Sequence, residues 1–160
     1  DCTRIAHRLS PDSHQRVCFS HVCYGNLQPF SPEACTAQPC PTSALALSGI
    51  AKAEMFVEEV QRRFEAVKAL SFGDHHNFSD KDLAEIHRQA ESVDCVVTTA
   101  KDAARLAALQ QQLSPGLVSK LYVLPIHVEM LHQDALSPSE TFHQTIHDYV
   151  TTHSGNRCLD

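Results

Sequence analysis

The sequence predicts an α/β protein, with a small, mostly parallel sheet, flanking helices and a short strand and linker appendage at its start. Two observations carry this prediction. From residue 44 onward, short apolar runs typical of buried parallel strands alternate with amphipathic helical patterns. Between residues 28 and 43 lie four of the eight prolines, without any periodicity. We therefore expect a strand and linker appendage at 1–43 and a compact α/β lobe at 44–160.

The appendage contains two elements. Residues Arg4–Leu9 predict one or two turns of helix that end at Ser10-Pro11, because proline cannot continue a helix. The run Arg16–Tyr24 is rich in β-forming residues and ends at the turn signal Gly25-Asn26. It predicts one strand before the proline-rich linker.

The first half of the compact lobe predicts two strands, each followed by a helix. Ala44–Ser48 is a short apolar strand, and Gly49 opens a helix. One face of that helix is apolar and carries Ala53, Phe56, Val57, Val60 and Phe64. Ala66–Phe72 is the second strand, and Gly73 allows a sharp exit because it has no Cβ.

Helix-start signals mark the next two helices. Ser79 with Asp82 matches a capping box for a helix from Asp80 to about Glu91, and Phe78 with Leu83 matches a hydrophobic staple. After the short strand 95–97, Thr99 and Asp102 match a second capping box. The fourth strand is predicted at 121–128, and the cap Ser137-Pro138-Ser139-Glu140 starts the last helix.

Three strand-to-helix turns should meet at the carboxyl edge of such a sheet, which is where open α/β sheets bind ligands. They are Ser48-Gly49-Ile50, Gly73-Asp74-His75-His76 and Thr98-Thr99-Ala100-Lys101-Asp102. Asp74 and His75 are candidates for moving a proton, and Lys101, Asp102 and Thr99 for binding a phosphate. The alternatives are that Asp102 only caps its helix, that Lys101 is a solvated side chain and that His76 is a surface residue.

Composition and motifs exclude several classes of protein. The formal charge of −6 argues against a nucleic-acid partner. No apolar run approaches the roughly 20 residues of a membrane helix, although a peripheral membrane contact stays open. The nucleotide fingerprints G-x-x-x-x-G-K-[ST] and G-x-G-x-x-G do not occur, and neither does the nucleophile elbow G-x-S-x-G.

The seven cysteines are scattered without a tight repeat, which favours a reducing compartment over a secreted disulfide framework. Cys18-x4-Cys23 and Cys35-x4-Cys40, with His21 nearby, could be interpreted as a zinc set. Residues five apart in a strand face opposite sides, however. We therefore predict no metal ligand in this chain.

The chain resembles a known family. Three segments carry the resemblance, in matching order and spacing: residues 47–56 (LSGIAKAEMF), 72–83 (FGDHHNFSDKDL) and 97–106 (VTTAKDAARL). They are similar to the carboxyl-terminal half of tetraacyldisaccharide 4'-kinase, the lipid A 4'-kinase of Gram-negative bacteria, in its Bacteroidetes form. Weaker similarity extends through 15–29 and 124–129. Because the chain begins at Asp1 rather than methionine, we expect it to be the tail of a longer protein.

The resemblance implies a function. The family transfers the γ-phosphoryl of ATP to the 4'-hydroxyl of a lipid A disaccharide 1-phosphate precursor, at the cytoplasmic face of the inner membrane. It has two α/β/α lobes joined by a β-ribbon, and its phosphate loop and magnesium-binding carboxylates lie in the amino-terminal lobe. ATP and Mg²⁺ would therefore be bound mainly outside this chain, which would be inactive alone.

The resemblance also implies site residues. The aspartate-histidine pair of the second lobe corresponds to Asp74 and His75. His75 would partner a carboxylate from the other lobe, and Asp74 would orient its imidazole. Where the family usually reads threonine-glutamate-lysine-aspartate, this chain has Ala100 in place of the glutamate. Lys52-Ala53 likewise replaces a usual asparagine-proline, and Gly73 a usual proline or other small residue.

Two other functions stay open. Asp-His-His also names a family of metal-dependent phosphoesterases, but these need further aspartates at neighbouring strand ends, where this chain has Ser48-Gly49 and Thr98-Thr99. The second alternative is a non-enzymatic α/β module that binds a phosphorylated ligand or partner.

Overall fold

The computed structural model of the chain describes residues 2–12, 15–32, 34, 41–74, 76–131 and 138–153. Their contacts form two units. The central unit spans Tyr24–Ile126, and the terminal unit combines the described residues of 1–23 and 127–160. The boundaries between the units therefore lie at 23/24 and 126/127. The boundary after residue 43, which the sequence indicates, stays a prediction.

The described elements follow the predicted alternation of strands and helices. The helices are α1 (Cys2–Leu9), α2 (Glu54–Arg63), α3 (Asp80–Ala90), α4 (Ala100–Ala108), a 3₁₀ turn (Gln110–Gln112), α5 (Pro115–Val118) and α6 (Pro138–His153). The strands are β1 (Ser20–Tyr24), β2 (Gln28–Pro29), β3 (Ser43–Ser48), β4 (Ala66–Ser71), β5 (Cys95–Thr99), β6 (Leu121–Leu124) and β7 (Ile126–Met130). Within the described part of the chain, no helix combines the length and apolar character needed to cross a bilayer.

The central unit is built on a five-stranded sheet in the order β2-β6-β5-β3-β4. Strands β4, β3, β5 and β6 run parallel to their neighbours, and only the two-residue β2 is antiparallel, against β6. The prediction of a small, mostly parallel sheet with flanking helices is confirmed. Its parallel part places the ends of β3, β4 and β5 on the same edge.

Both faces of the sheet are buried at the central strands β3 and β5, which explains their continuous apolar runs in the sequence, whereas the edge strand β4 is largely exposed. In β3 the side chains alternate, so that Leu45 and Leu47 join one core cluster while Ala44 and Ala46 join the other. The first cluster is completed from α3, α4 and α5, and the second from α2. Each strand end is therefore held between two layers of helix.

The prediction of one strand at 121–128 is wrong. The segment forms two strands, β6 and β7, which belong to different sheets and are separated by Pro125. Proline has no N–H to donate, so the hydrogen-bond ladder is interrupted there. The Pro125 carbonyl instead accepts a bond of 2.9 Å from the Gly25 N–H.

The terminal unit contains α1, α6 and a two-stranded ribbon of β1 with β7. The Leu131 N–H donates to the Phe19 carbonyl at 2.8 Å at the far end of this ribbon. The helix predicted at 4–9 is confirmed, and the strand predicted at 16–24 is shorter than expected. Ser137, the predicted cap of the last helix, lies outside the described residues.

Candidate functional site

The ends of β3 and β4 meet through backbone and hydroxyl contacts at the carboxyl edge of the sheet. The Phe72 N–H donates to the Ser48 carbonyl at 2.7 Å, and the Ser48 and Ser71 hydroxyls lie 3.3 Å apart. The turns after β3, β4 and β5 therefore begin from one common edge. This agrees with the expectation drawn from the sequence.

Asp74 and Lys101 form an ion pair across this edge. The Lys101 Nζ donates to Asp74 Oδ1 at 2.9 Å, and the two side chains are 43% and 38% exposed. Asp74 follows β4 and Lys101 follows β5, and β3 lies between these strands. The pair thus spans the end of β3 and leaves both charged groups accessible to a ligand.

Asp102 is placed quite differently, because it is completely buried. Its Oδ2 accepts bonds from the Gly49 N–H at 2.8 Å and the Thr99 hydroxyl at 2.7 Å. Its Oδ1 accepts a bond from Arg105 Nη1 at 2.9 Å. A buried carboxylate is stable only with several such donors. Asp102 therefore joins the turn after β3 to the start of α4.

Thr99 caps α4 by accepting the Asp102 N–H at 3.1 Å. In the predicted capping box the Asp102 carboxylate would accept the Thr99 N–H. It accepts the Gly49 N–H and the Thr99 hydroxyl instead. Arg105, which the sequence analysis missed, completes the arrangement by donating to the Gly49 carbonyl at 3.1 Å. The sequence indicated this residue only through its position three residues after Asp102, a spacing at which helical side chains of opposite charge interact.

The glycine at position 49 is required by this packing. A Cβ on Gly49 would lie 3.0 Å from Asp102 Oδ1 and 3.5 Å from Arg105 Nη1. A Cβ on Gly73, in the turn that carries Asp74, would meet nothing within 4 Å. The turn after β3 is therefore closely packed, and the turn after β4 is open.

His76 is partly exposed, and its side chain packs against its neighbours. Its ring stacks on Phe72 with centroids 4.7 Å apart, and its Nε2 lies 2.9 Å from Asp82 Oδ2. The Ser79 hydroxyl and N–H also donate to Asp82, so the predicted capping box is confirmed. These bonds, chiefly those from Ser79, lower the pKa of Asp82 to about 2. His75 lies outside the described residues.

Among the described residues of the central unit, two clefts differ in size and position. One, of about 320 Å³, lies beside the carboxyl edge and is lined by Ala53, Glu54, Val57, Glu58 and Ser71. A larger one, of about 650 Å³, lies towards the amino edge and includes His87, Gln111 and Lys120. Of these two clefts, only the smaller is lined by a residue at the carboxyl end of a strand, Ser71 of β4.

The arrangement at the carboxyl edge suits the binding of an anion or the orientation of a neighbouring group. Lys101 supplies an accessible positive charge, and Asp74 supplies an accessible hydrogen-bond acceptor. Both carboxylates of the three turns pair with cations, the buried Asp102 with Arg105 and the exposed Asp74 with Lys101.

Comparison with known proteins gives consistent results. Residues 4–144 match the family model described as tetraacyldisaccharide-1-P 4'-kinase. The tetraacyldisaccharide 4'-kinase of Bacteroides fragilis is 34% identical over an alignment of 170 residues, which covers 99% of this chain and 44% of that protein. The enzyme of the same name from Porphyromonas gingivalis is 35% identical over 127 residues, covering 74% of this chain and 35% of the relative.

The chain therefore spans less than half the length of these curated relatives. No solved structure gives a significant match. The family match nevertheless runs through both units of the chain. This chain belongs to the tetraacyldisaccharide-1-P 4'-kinase family.

Proposed function

We propose that this chain is the carboxyl-terminal lobe of an ATP-dependent kinase that phosphorylates the 4'-hydroxyl of tetraacyldisaccharide 1-phosphate in lipid A biosynthesis. Family membership supports the reaction, and the 44% coverage of the Bacteroides fragilis relative supports the assignment to one part of a larger enzyme. The observation that carries the proposal is the accessible Asp74–Lys101 pair at the carboxyl edge, where α/β sheets bind their ligands.

Phosphoryl transfer needs correct positioning, a group that accepts the hydroxyl proton and positive charge near the phosphates. In the proposal His75 accepts the proton from the 4'-hydroxyl. Asp74, directly before it in the chain, orients the imidazole. Lys101 binds a phosphate oxygen, for which its exposed ammonium is suited.

Thr99 and Asp102 contribute to phosphate binding indirectly in this proposal. Their side chains bond to each other, and Asp102 also holds the Gly49 N–H. They therefore fix the turn after β3 and the start of α4, which carries Lys101.

The remaining parts of the reaction belong to the rest of the enzyme. Since the chain contains no G-x-x-x-x-G-K-[ST] motif, we propose that ATP and Mg²⁺ bind mainly to an amino-terminal lobe. The whole enzyme would act as a peripheral protein at the cytoplasmic face of the inner membrane. The 160-residue chain alone would transfer no phosphoryl group.

The test is a chimera in which this chain replaces the matching carboxyl-terminal segment of the Bacteroides fragilis enzyme. Transfer of labelled γ-phosphoryl from ATP to tetraacyldisaccharide 1-phosphate is measured. We expect an active chimera. His75→Ala should lower kcat about 100-fold or more, because a general base contributes that much. Lys101→Ala should mainly raise KM for the lipid.

The matched control is His76→Ala, which removes the neighbouring imidazole. The His76 ring stacks on Phe72 and its Nε2 contacts Asp82. We therefore expect this variant to have a lower free energy of unfolding and a nearly unchanged kcat. A chimera that folds and binds ATP but transfers nothing would contradict the proposal. If that chimera still binds tetraacyldisaccharide 1-phosphate, the non-enzymatic binding module is the correct interpretation.

A further inference from the structure

The ribbon of β1 and β7 carries a second group of chemically active side chains, separate from the carboxyl edge. Side chains two residues apart point to the same face of a strand, so His21 shares a face with Cys23, and His127 with Glu129. The bond from the Leu131 N–H to the Phe19 carbonyl sets the pairing in which His21 lies opposite Glu129. Two distant segments of sequence thus place imidazole, thiol and carboxylate together.

Three of these side chains have the spacing of metal ligands. The His21 Nε2 lies 3.1 Å from the Cys23 Sγ and 3.8 Å from Glu129 Oε2. All three donor atoms lie within 4.8 Å of one another. A tetrahedral zinc ion, with metal–ligand bonds of about 2.0 to 2.3 Å, holds its donors roughly 3.4 to 3.6 Å apart. An ion could therefore bind between them after only small side-chain adjustments.

The fourth side chain supports one of these ligands. The His127 Nε2 lies 3.0 Å from Glu129 Oε1, the oxygen that does not face His21. A metal-binding carboxylate is commonly oriented by such an outer hydrogen bond. One oxygen of Glu129 is thereby held by His127, and the other is directed towards His21.

We propose that His21, Cys23 and Glu129 bind one zinc ion, with His127 orienting the carboxylate and solvent completing the coordination. The mixed nitrogen, sulfur and oxygen set suits zinc, whereas the thiolate disfavours magnesium and calcium. Cys23 releases its proton to solvent when the sulfur–zinc bond forms. Because the ligands come from both strands, the ion would join β1 to β7 as a cross-link.

This site differs from the four-cysteine set considered from the sequence. Cys18 is exposed and does not belong to the cluster, and Cys35 and Cys40 lie outside the described residues. The two possibilities share only Cys23 and the neighbouring His21. Variants of the remaining cysteines therefore distinguish them.

The experiment uses the untagged, metal-free 160-residue chain. Zinc is titrated in competition with a chromophoric chelator, and cobalt(II) is added separately to detect a thiolate-to-cobalt charge-transfer band. We expect one tightly bound zinc per chain. Cys23→Ser should abolish the band, and Glu129→Gln should weaken zinc binding strongly. His127→Ala should weaken it by about 10- to 100-fold, as is usual for outer hydrogen-bond partners.

Cys18→Ser and the double variant Cys35→Ser/Cys40→Ser are the matched controls and should bind zinc as the parent does. Circular dichroism confirms that each variant is folded. If Cys23→Ser is unstable, Glu129→Gln provides the test, because the Glu129 side chain is 57% exposed and its substitution should not disturb folding. The proposal is wrong if the parent binds no zinc, if Glu129→Gln changes nothing, or if the cysteine double variant alone abolishes binding.

Discussion

Asp74 and Asp102 both follow a strand at the same edge of the same sheet, yet they serve different purposes. Asp102 is fully buried and accepts bonds from Gly49, Thr99 and Arg105. Asp74 is 38% exposed and pairs with Lys101 at the surface. The closed turn holds the edge together, and the open turn leaves both members of its ion pair accessible to solvent. The same residue type at equivalent positions can thus be enclosed or accessible, according to the packing of its turn.

The largest expected effect comes from removing the buried carboxylate. Asp102→Ala leaves the buried Gly49 N–H without its acceptor and removes the charged partner of Arg105, so the free energy of unfolding should fall by about 3 to 5 kcal/mol. Asp74→Ala, at an exposed ion pair, should cost less than about 1 kcal/mol. Urea denaturation of both variants measures the difference. Equal losses would mean that the two turns do not differ as described.

Gly49 and Gly73 test the same difference between the closed turn after β3 and the open turn after β4. Gly49→Ala places a methyl group 3.0 Å from Asp102 Oδ1 and should destabilise by about 1 to 3 kcal/mol. Gly73→Ala meets no neighbour and should be neutral or stabilise by up to about 1 kcal/mol, because it restricts the unfolded chain. Thermal unfolding of both variants is the measurement. A destabilising Gly73→Ala would show that the open turn is also constrained.

A third aspartate extends the comparison to the other end of β3. Asp94 Oδ2 accepts bonds from the N–H and hydroxyl groups of Thr42 and Ser43, at 2.9 to 3.1 Å. Donation by Ser43 and then Thr42 lowers the pKa of Asp94 from 3.8 to about 2. Its contribution to stability is therefore complete above about pH 4 and is lost as the pH falls towards 2.

The Asp94→Asn variant tests this pH dependence. Its free energy of unfolding, measured by urea between pH 5 and 2, should fall less steeply with acid than that of the parent. The slope that remains belongs to other carboxyls with lowered pKa values, such as Asp82. An unchanged slope would show that the bonds to Asp94 do not favour its ionised form.

The smallest expected effect concerns the turn after β3. Lys52 has a φ of 63°, a left-handed conformation that is unfavourable for residues with a Cβ. Lys52→Gly should stabilise by less than about 1 kcal/mol, because the greater freedom of glycine in the unfolded chain offsets part of the gain. Lys52→Ala keeps the Cβ and should give no such gain. Thermal unfolding compares the two variants.

Much of the edge could be predicted from the sequence because strand order and cap signals are local. The apolar runs located β3, β4 and β5, and the pair Ser79/Asp82 marked the start of α3. The meeting of three turns then followed from parallel pairing. The division of 121–128 by Pro125 was missed, since an apolar run alone does not show that a chain changes sheets.

Contacts between distant segments could not be predicted in the same way. Arg105 contacts Gly49 and Asp94 contacts Thr42, and each pair is more than 50 residues apart. The stacking of His76 on Phe72 could not be predicted either, because it depends on the tertiary structure around the turn. The ribbon cluster was hidden because Glu129 reaches His21 only through the pairing of β1 with β7.

The hydrogen bond from Gly25 to Pro125 joins the two ends of the central unit. The polypeptide therefore enters and leaves this unit at nearly the same place. During synthesis, residues 24–126 would leave the ribosome as a complete folding unit before β7 is available to pair with β1. Because β7 is synthesised after most of the central unit, the ribbon would form only once that unit is complete.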